Sequence, residues 1–181
     1  MLLLLAGSLL LTALIVHNTN TPYASMRESA KELENNLHKK EAYIYNFINS
    51  KPDFDSLKNV TQNEKNGLRL INQFTTEKGI QFVTTKNNKV NFWSGVEVIP
   101  RYPARIKEGV SLIKEPNGYY EAIKRTEGNF SVLFFIPIKT TYAFQNQYLQ
   151  NSFAKDLSTE NNIELAVPIR IIQDKISSGG K

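Results

Sequence analysis

Apolar positions fall into three regimes along the chain. Residues 1–16, MLLLLAGSLLLTALIV, carry no charge and hold thirteen apolar side chains. Behind a polar break at residues 17–21, Thr21-Pro22 supplies a capping hydroxyl and a first-turn proline, which predicts a helix start. From Pro22 to Asn49 apolar residues recur at Met26, Ala30, Leu33, Leu37, Ile44, Phe47 and Ile48. Most of those spacings are three, four or seven, so one face of a long helix is apolar. Arg27, Glu28, Lys31, Glu34 and Lys39 occupy the other face, and Asn49-Ser50-Lys51-Pro52-Asp53 stops it. A second helix is predicted over residues 64–78, burying Leu68, Ile71 and Phe74 and capped by Gly79.

The period then shortens. Residues 80–85 and 89–94 read as strands around the turn Lys86-Asn87-Asn88. Residues 96–113, with Pro100, Pro103 and Gly109, read as loop with one helical turn. Residues 118–125 and 130–139 form a second hairpin around Thr126-Glu127-Gly128-Asn129. Residues 132–138 are almost continuously apolar, which suits a central strand covered on both faces. The aromatic-punctuated stretch 142–157 is expected to be helical around residues 146–154, with short strands at 163–167 and 169–172. The closing Ser177-Ser178-Gly179-Gly180-Lys181 reads as a turn between strands, so the last domain is expected to be incomplete. The fold class is therefore α+β.

Sixteen helical residues rise about 24 Å, less than the roughly 30 Å of a bilayer core. The absence of a basic flank argues against a secretory signal. The expectation is a transmembrane helix at 1–17, truncated at its start, with a signal sequence as the rival reading. Arg27, Lys31, Lys39 and Lys40 behind it run against the positive-inside rule, which is weak for long translocated segments. Residues 18–63 are then a coupling helix and linker, and residues 64–181 a sensor domain.

Composition narrows the chemistry. The chain has 181 residues and no cysteine, which removes disulfides, Cys-ligated metals and thiol catalysis. Two histidines, His17 and His38, do not make a His-rich metal centre. Net charge is +5, but basic residues are scattered singly or in pairs such as Lys39–Lys40 and Lys124–Arg125. That is ordinary surface rather than a nucleic-acid stripe. Asp53 and Asp55, two apart on a loop, lack His or metal partners and read as a solvated turn. The terminal SSGGK lacks the order of a phosphate-binding loop. Asn59-Val60-Thr61 and Asn129-Phe130-Ser131 match glycosylation sequons, as chance allows in so Asn-rich a chain. The aromatic series Tyr142, Phe144, Tyr148 and Phe153 reads as core.

Residues 118–166 run through Gly118-Tyr119-Tyr120, the Gly128-Asn129 hairpin, Ile136-Pro137-Ile138-Lys139, Tyr142, Asn146-x-Tyr148-Leu149, Phe153 and Ile163. With the preceding helix, the first hairpin and Trp93-Ser94-Gly95, this order resembles the extracytoplasmic sensor region of Bacteroidetes-type membrane histidine kinases of two-component systems. The resemblance rests on packing and turn residues, and it covers most of the chain after residue 17. It implies a PAS-like or Cache-like sheet behind a long N-terminal helix. It also implies an inner-membrane protein with its sensor in the periplasm. A homodimer through the N-terminal helix follows, as does a cytoplasmic kinase outside this chain that uses ATP and Mg and addresses a response regulator. The segment itself carries no second apolar run, phosphoacceptor helix or ATP lid. No catalytic residue, cofactor or metal is expected in it, and no nucleic-acid partner. Other readings remain open: a tethered or secreted binding or structural domain without kinase, or the sensor of a chemoreceptor or cyclase.

The candidate ligand site is the loop after the first hairpin: Trp93, Arg101, Tyr102 and Arg105, with Tyr119 or Tyr120. Arginine offers charge-assisted bidentate bonds to small anions, and aromatics offer an apolar wall. The competing reading has the aromatics as packing and the arginines as surface.

Overall fold

The structure, a computed structural model, describes residues 22–158. The expected span at 1–17 and the expected strands at 163–167 and 169–172 lie outside the described residues. Among the described residues no helix is long and apolar enough to cross a membrane.

The long helix α1 runs Pro22–Asn49. Its apolar stripe is used unevenly. Ile44, Phe47 and Ile48 are buried, and Leu33 and Leu37 pack at the core margin. Met26 is 44% exposed, and Ala30 is exposed as well. The helix therefore joins the core through its C-terminal half. Its end is capped from the sheet: the Arg125 guanidinium donates to the Ile48 carbonyl and, at 2.9 Å, to Asn49 Oδ1. A cation against the terminal carbonyls also suits the helix dipole.

The expected linker contains a second helix, α2 (Lys51–Lys58), entered at Ser50 and started by Pro52. Asp53 and Asp55 thus lie on a helix rather than a loop. Asp53 occupies the first turn, where the dipole favours it, and Asp55 pairs with Lys58 at 3.3 Å. Lys58 also meets Glu127 at 2.7 Å, tying α2 to the sheet. Phe54 and Leu57 fill the space beneath.

Helix α3 (Glu64–Ile71) begins where the Asn63 side chain accepts from the Asn66 amide. It continues through a π-helical turn at Asn72–Thr76 and ends at Gly79, whose φ of +61° is the left-handed cap position. The buried residues are Gly67, Leu70 and Phe74, whereas Leu68 is 60% exposed and Ile71 half-buried. The expected face was thus only partly right, and Gly67 explains why. A Cβ there would lie 3.3 Å from the Val60 carbonyl oxygen. The side without a side chain presses on the preceding turn, which swings Leu68 outward. The wider π turn carries Phe74 into an aromatic cluster with Tyr43, Phe47, Phe82 and Phe134, at centroid separations of 5.5, 4.8, 5.8 and 4.9 Å.

The strands are β1 (Gln81–Lys86), β2 (Lys89–Trp93), β3 (Gly109–Glu115), β4 (Gly118–Glu127), β5 (Phe130–Thr140) and β6 (Ser152–Phe153). They form one antiparallel sheet of order β2-β1-β5-β4-β3, with β6 pairing the far end of β5 at Lys139 and Thr140. The fold is α+β. Asn87 and Asn88 both take positive φ (53° and 62°), as a two-residue hairpin requires. At Gly118 a Cβ would stand 2.4 Å from the Lys139 carbonyl, so only glycine fits there.

Central β5 is buried on both faces, as its apolar run predicts. Phe130, Val132, Phe134, Ile136 and Ile138 meet the helices. Leu133 and Phe135 meet Val83, Val98, Tyr120 and Ala122 under the loop of residues 96–108. Two expectations fail. Residues 109–113 belong to edge strand β3, whose exposed Val110 and Leu112 blur the alternation that marks a half-buried strand. Residues 146–154 are not helical. Asn146 Oδ1 accepts from the amides of Tyr148 and Leu149 at 2.8 and 2.9 Å, and Asn151 Oδ1 accepts from Tyr142 N at 2.9 Å. Those side chains substitute for helical bonds and fold the segment into turns. Phe144 and Tyr148 are exposed and Tyr142 is only part covered, so of the aromatic series only Phe153 joins the core.

Candidate functional site

The 96–108 loop is moored to the sheet at several points. Lys124 Nζ donates to the carbonyls of Pro103 and Ile106 at 3.1 and 2.9 Å. Gln81 receives the Val98 amide at 3.3 Å and donates to Glu97 at 2.5 Å, while Asn117 donates to the Glu97 carbonyl at 2.8 Å. Val98 and Pro103 are buried. A short 3₁₀ turn at Pro103–Arg105 closes the segment. Such a loop presents its outward side chains from a fixed backbone.

Those outward side chains are Arg101, Tyr102 and Arg105, all exposed. Their charged ends converge on one ring. The Arg105 guanidinium carbon lies 4.6 Å from the Tyr102 centroid and that of Arg101 lies 5.6 Å from it. A cation over an aromatic face gains roughly 0.5–1 kcal/mol at an exposed site, which favours these two arrangements. Two guanidiniums against one ring place two possible bidentate donors for carboxylate or phosphate oxygens on one short stretch of loop.

The other expected residues are less favourably placed. Trp93 is half-exposed at the end of β2, and its pairing with Val83 puts it on the loop-covered face. Tyr120 lies on that face too, buried beneath the loop, its phenol raised above the ordinary range by burial and then by Glu97. Tyr119 does not join them. It packs with the helix-side core, under the Lys114 ammonium at 5.4 Å, so it is removed from the candidate site. The two tyrosines face opposite ways because the strand alternates there. A shallow polar hollow lined by Glu28, Lys31, Glu32, Asn35, Asn36 and Lys39 runs along α1 and contains none of the expected residues. Among the described residues no group of three or more His, Cys, Asp or Glu side chains is placed to hold a metal ion.

Sequence reasoning missed a second polar group, on the helix side of the sheet. Glu121, in mid-β4, is buried on the face of the sheet that α1 covers, and its Oε1 has no hydrogen-bond partner among the described residues. Glu41 of α1 meets His38 Nδ1 at 2.5 Å. Burial, then Glu41, pushes the Glu121 carboxyl up to about 8. The Glu41 hydrogen bond raises the His38 imidazole, and burial raises the Tyr45 phenol. A signal was present: Glu121 shares a strand face with Ile123, so a carboxylate interrupts what the period-2 pattern marks as core.

Comparison of the chain with family models, with curated proteins and with solved structures returned no match.

Proposed function

We propose that this chain is the extracytoplasmic, signal-sensing input region of a membrane-bound two-component sensor histidine kinase. The observation that carries the reading is the way α1 is shared. Its C-terminal half is welded into the sheet core, while the stripe at Met26, Ala30, Leu33 and Leu37 is left wholly or partly uncovered. A rigid rod fixed to a sheet at one end moves when the sheet moves. The central antiparallel sheet behind a long helix is also what a PAS-like or Cache-like sensor would have. In this reading the uncovered stripe pairs with a second copy, and the kinase that uses ATP lies outside this chain.

The input is a small anion held at Arg101, Tyr102 and Arg105, with Trp93 on the same face. Both arginines stand on a moored loop, so little ordering is required on binding. Reading the gene past Lys181 tests the assignment. A second apolar span followed by a His-containing dimerisation helix supports it, and a stop codon soon after Lys181 refutes it.

A further inference from the structure

The contact between α1 and β4 contains a carboxyl pair that the packing does not need. Glu121 is 8% exposed and sits between Ile136 of β5 and Leu112 of β3, its register partners. Its Oε1 has no hydrogen-bond donor among the described residues. The surrounding cations are engaged elsewhere. Lys40 bonds the Lys78 carbonyl and Asp156 at 2.8 and 2.6 Å, and Lys114 lies over the Tyr119 ring. Arg125, on the same face of β4, caps Ile48. From α1 the groups facing the pair are Glu41 itself, Tyr45, and His38 acting through Glu41, with Glu34 3.8 Å behind His38. With no donor to its Oε1, the buried Glu121 is better accommodated as the neutral acid than as a carboxylate.

We propose that the proton on Glu121, held against Glu41 of α1, is a pH-sensitive latch that holds the middle of α1 to the sheet. Its position gives it leverage, because Glu41 lies where the helix passes from its uncovered half to its buried half. While the proton is present, Glu121 donates across the interface toward Glu41, which His38 meets from the other side. Removing it leaves two carboxylates facing each other in a poorly hydrated contact, which disfavours the closed arrangement. The sign follows from the direction of the shift. A carboxyl raised above its unfolded value contributes stability that is complete at acid pH and is lost as pH rises toward the folded value of about 8. Alkali opens the latch; acid closes it. The mechanism is independent of the anion site and of the kinase assignment.

The test uses the full chain across pH 5–9. In the wild type the unfolding equilibrium constant should rise by up to tenfold per pH unit over part of that range, the limit for one proton. Hydrogen exchange of amides 33–43, corrected for its intrinsic pH dependence, should quicken over the same range while amides 44–48 stay protected. Glu121→Gln, which keeps a donor at every pH, should flatten both profiles. Should that variant fail to fold, carbon-13 titration of the wild-type glutamate carboxyls decides. One carboxyl titrating well above the ordinary value near 4.3 supports the latch. All carboxyls titrating in the ordinary range, or an unchanged pH profile in folded Glu121→Gln, overturns it.

Discussion

Replacing Phe74 by alanine should remove more stability than any other single truncation in the helical layer. Phe74 is fully buried and touches four aromatic rings, from α1, β1 and β5. A buried Phe→Ala change costs about 3–5 kcal/mol through lost transfer energy and the cavity left behind. Each edge or tilted ring pair adds about 0.5–1.5 kcal/mol beyond burial, so the upper part of that range applies. Against a typical total of about 5–15 kcal/mol, that is roughly a quarter or more of the stability. At about 2–4 °C per kcal/mol for a chain of this size, melting should fall by roughly 8–20 °C. The control is Leu68→Ala on the same helix, which should stay within about 0.5 kcal/mol because Leu68 is exposed. Urea denaturation followed by far-ultraviolet circular dichroism measures both. If Leu68→Ala costs as much as Phe74→Ala, the helix presents a different face, and both the Gly67 contact and the π turn are wrong.

Arg125→Met should cost about 2 kcal/mol, since it leaves the Ile48 carbonyl uncapped and removes a guanidinium from above Phe54, and Arg125→Lys should recover part of the loss in the same melt. A thermal-shift screen of organic acids, sugar acids and amino acids should find an anion that raises the melting temperature of the full chain by mass action. Arg105→Ala should abolish that rise while shifting the unliganded melt little, and a flat screen would return Arg101 and Arg105 to ordinary surface. Leu33→Glu with Leu37→Glu should halve the sedimenting mass at high micromolar concentration if α1 pairs between copies, whereas a monomeric wild type would refute self-driven pairing.

The parts of the fold that the sequence made legible are those with a single dominant cause. The α1 boundaries follow from a proline and a polar stop, the first hairpin from Asn87-Asn88, and the central strand from an unbroken apolar run. Elements decided by tertiary contact were illegible. Edge strand β3 alternates in burial but turns apolar Val110 and Leu112 to its exposed side, and nothing local marks Gly67 as the packing face of α3. The loop arginines stand out in the sequence because charge and proline coincide there, whereas Tyr119 lies on the other face from Tyr120 because neighbouring strand residues face opposite ways. Glu121 was overlooked although it shares a strand face with Ile123, because a glutamate on a strand is ordinarily exposed and here the arrival of α1 buries it.

The position of β5 has a kinetic consequence. Strands β3, β4 and β5 follow one another through two-residue turns and need little loop closure to pair. Strand β1, the other neighbour of β5, pairs Gln81 with Phe135 and Lys86 with Phe130, at separations of 54 and 44 residues along the chain. Local pairings form early and distant ones late, because closing a longer loop has a larger entropy cost. The three-strand meander therefore forms first, and for that interval β5 is an edge strand, apolar on both faces with one row of amides and carbonyls unpaired. Such an edge recruits other chains. The docking of β1 is thus the step that ends the chain's exposure to aggregation, and β1–β2 substitutions that slow it should lower refolding yield more than their equilibrium cost implies.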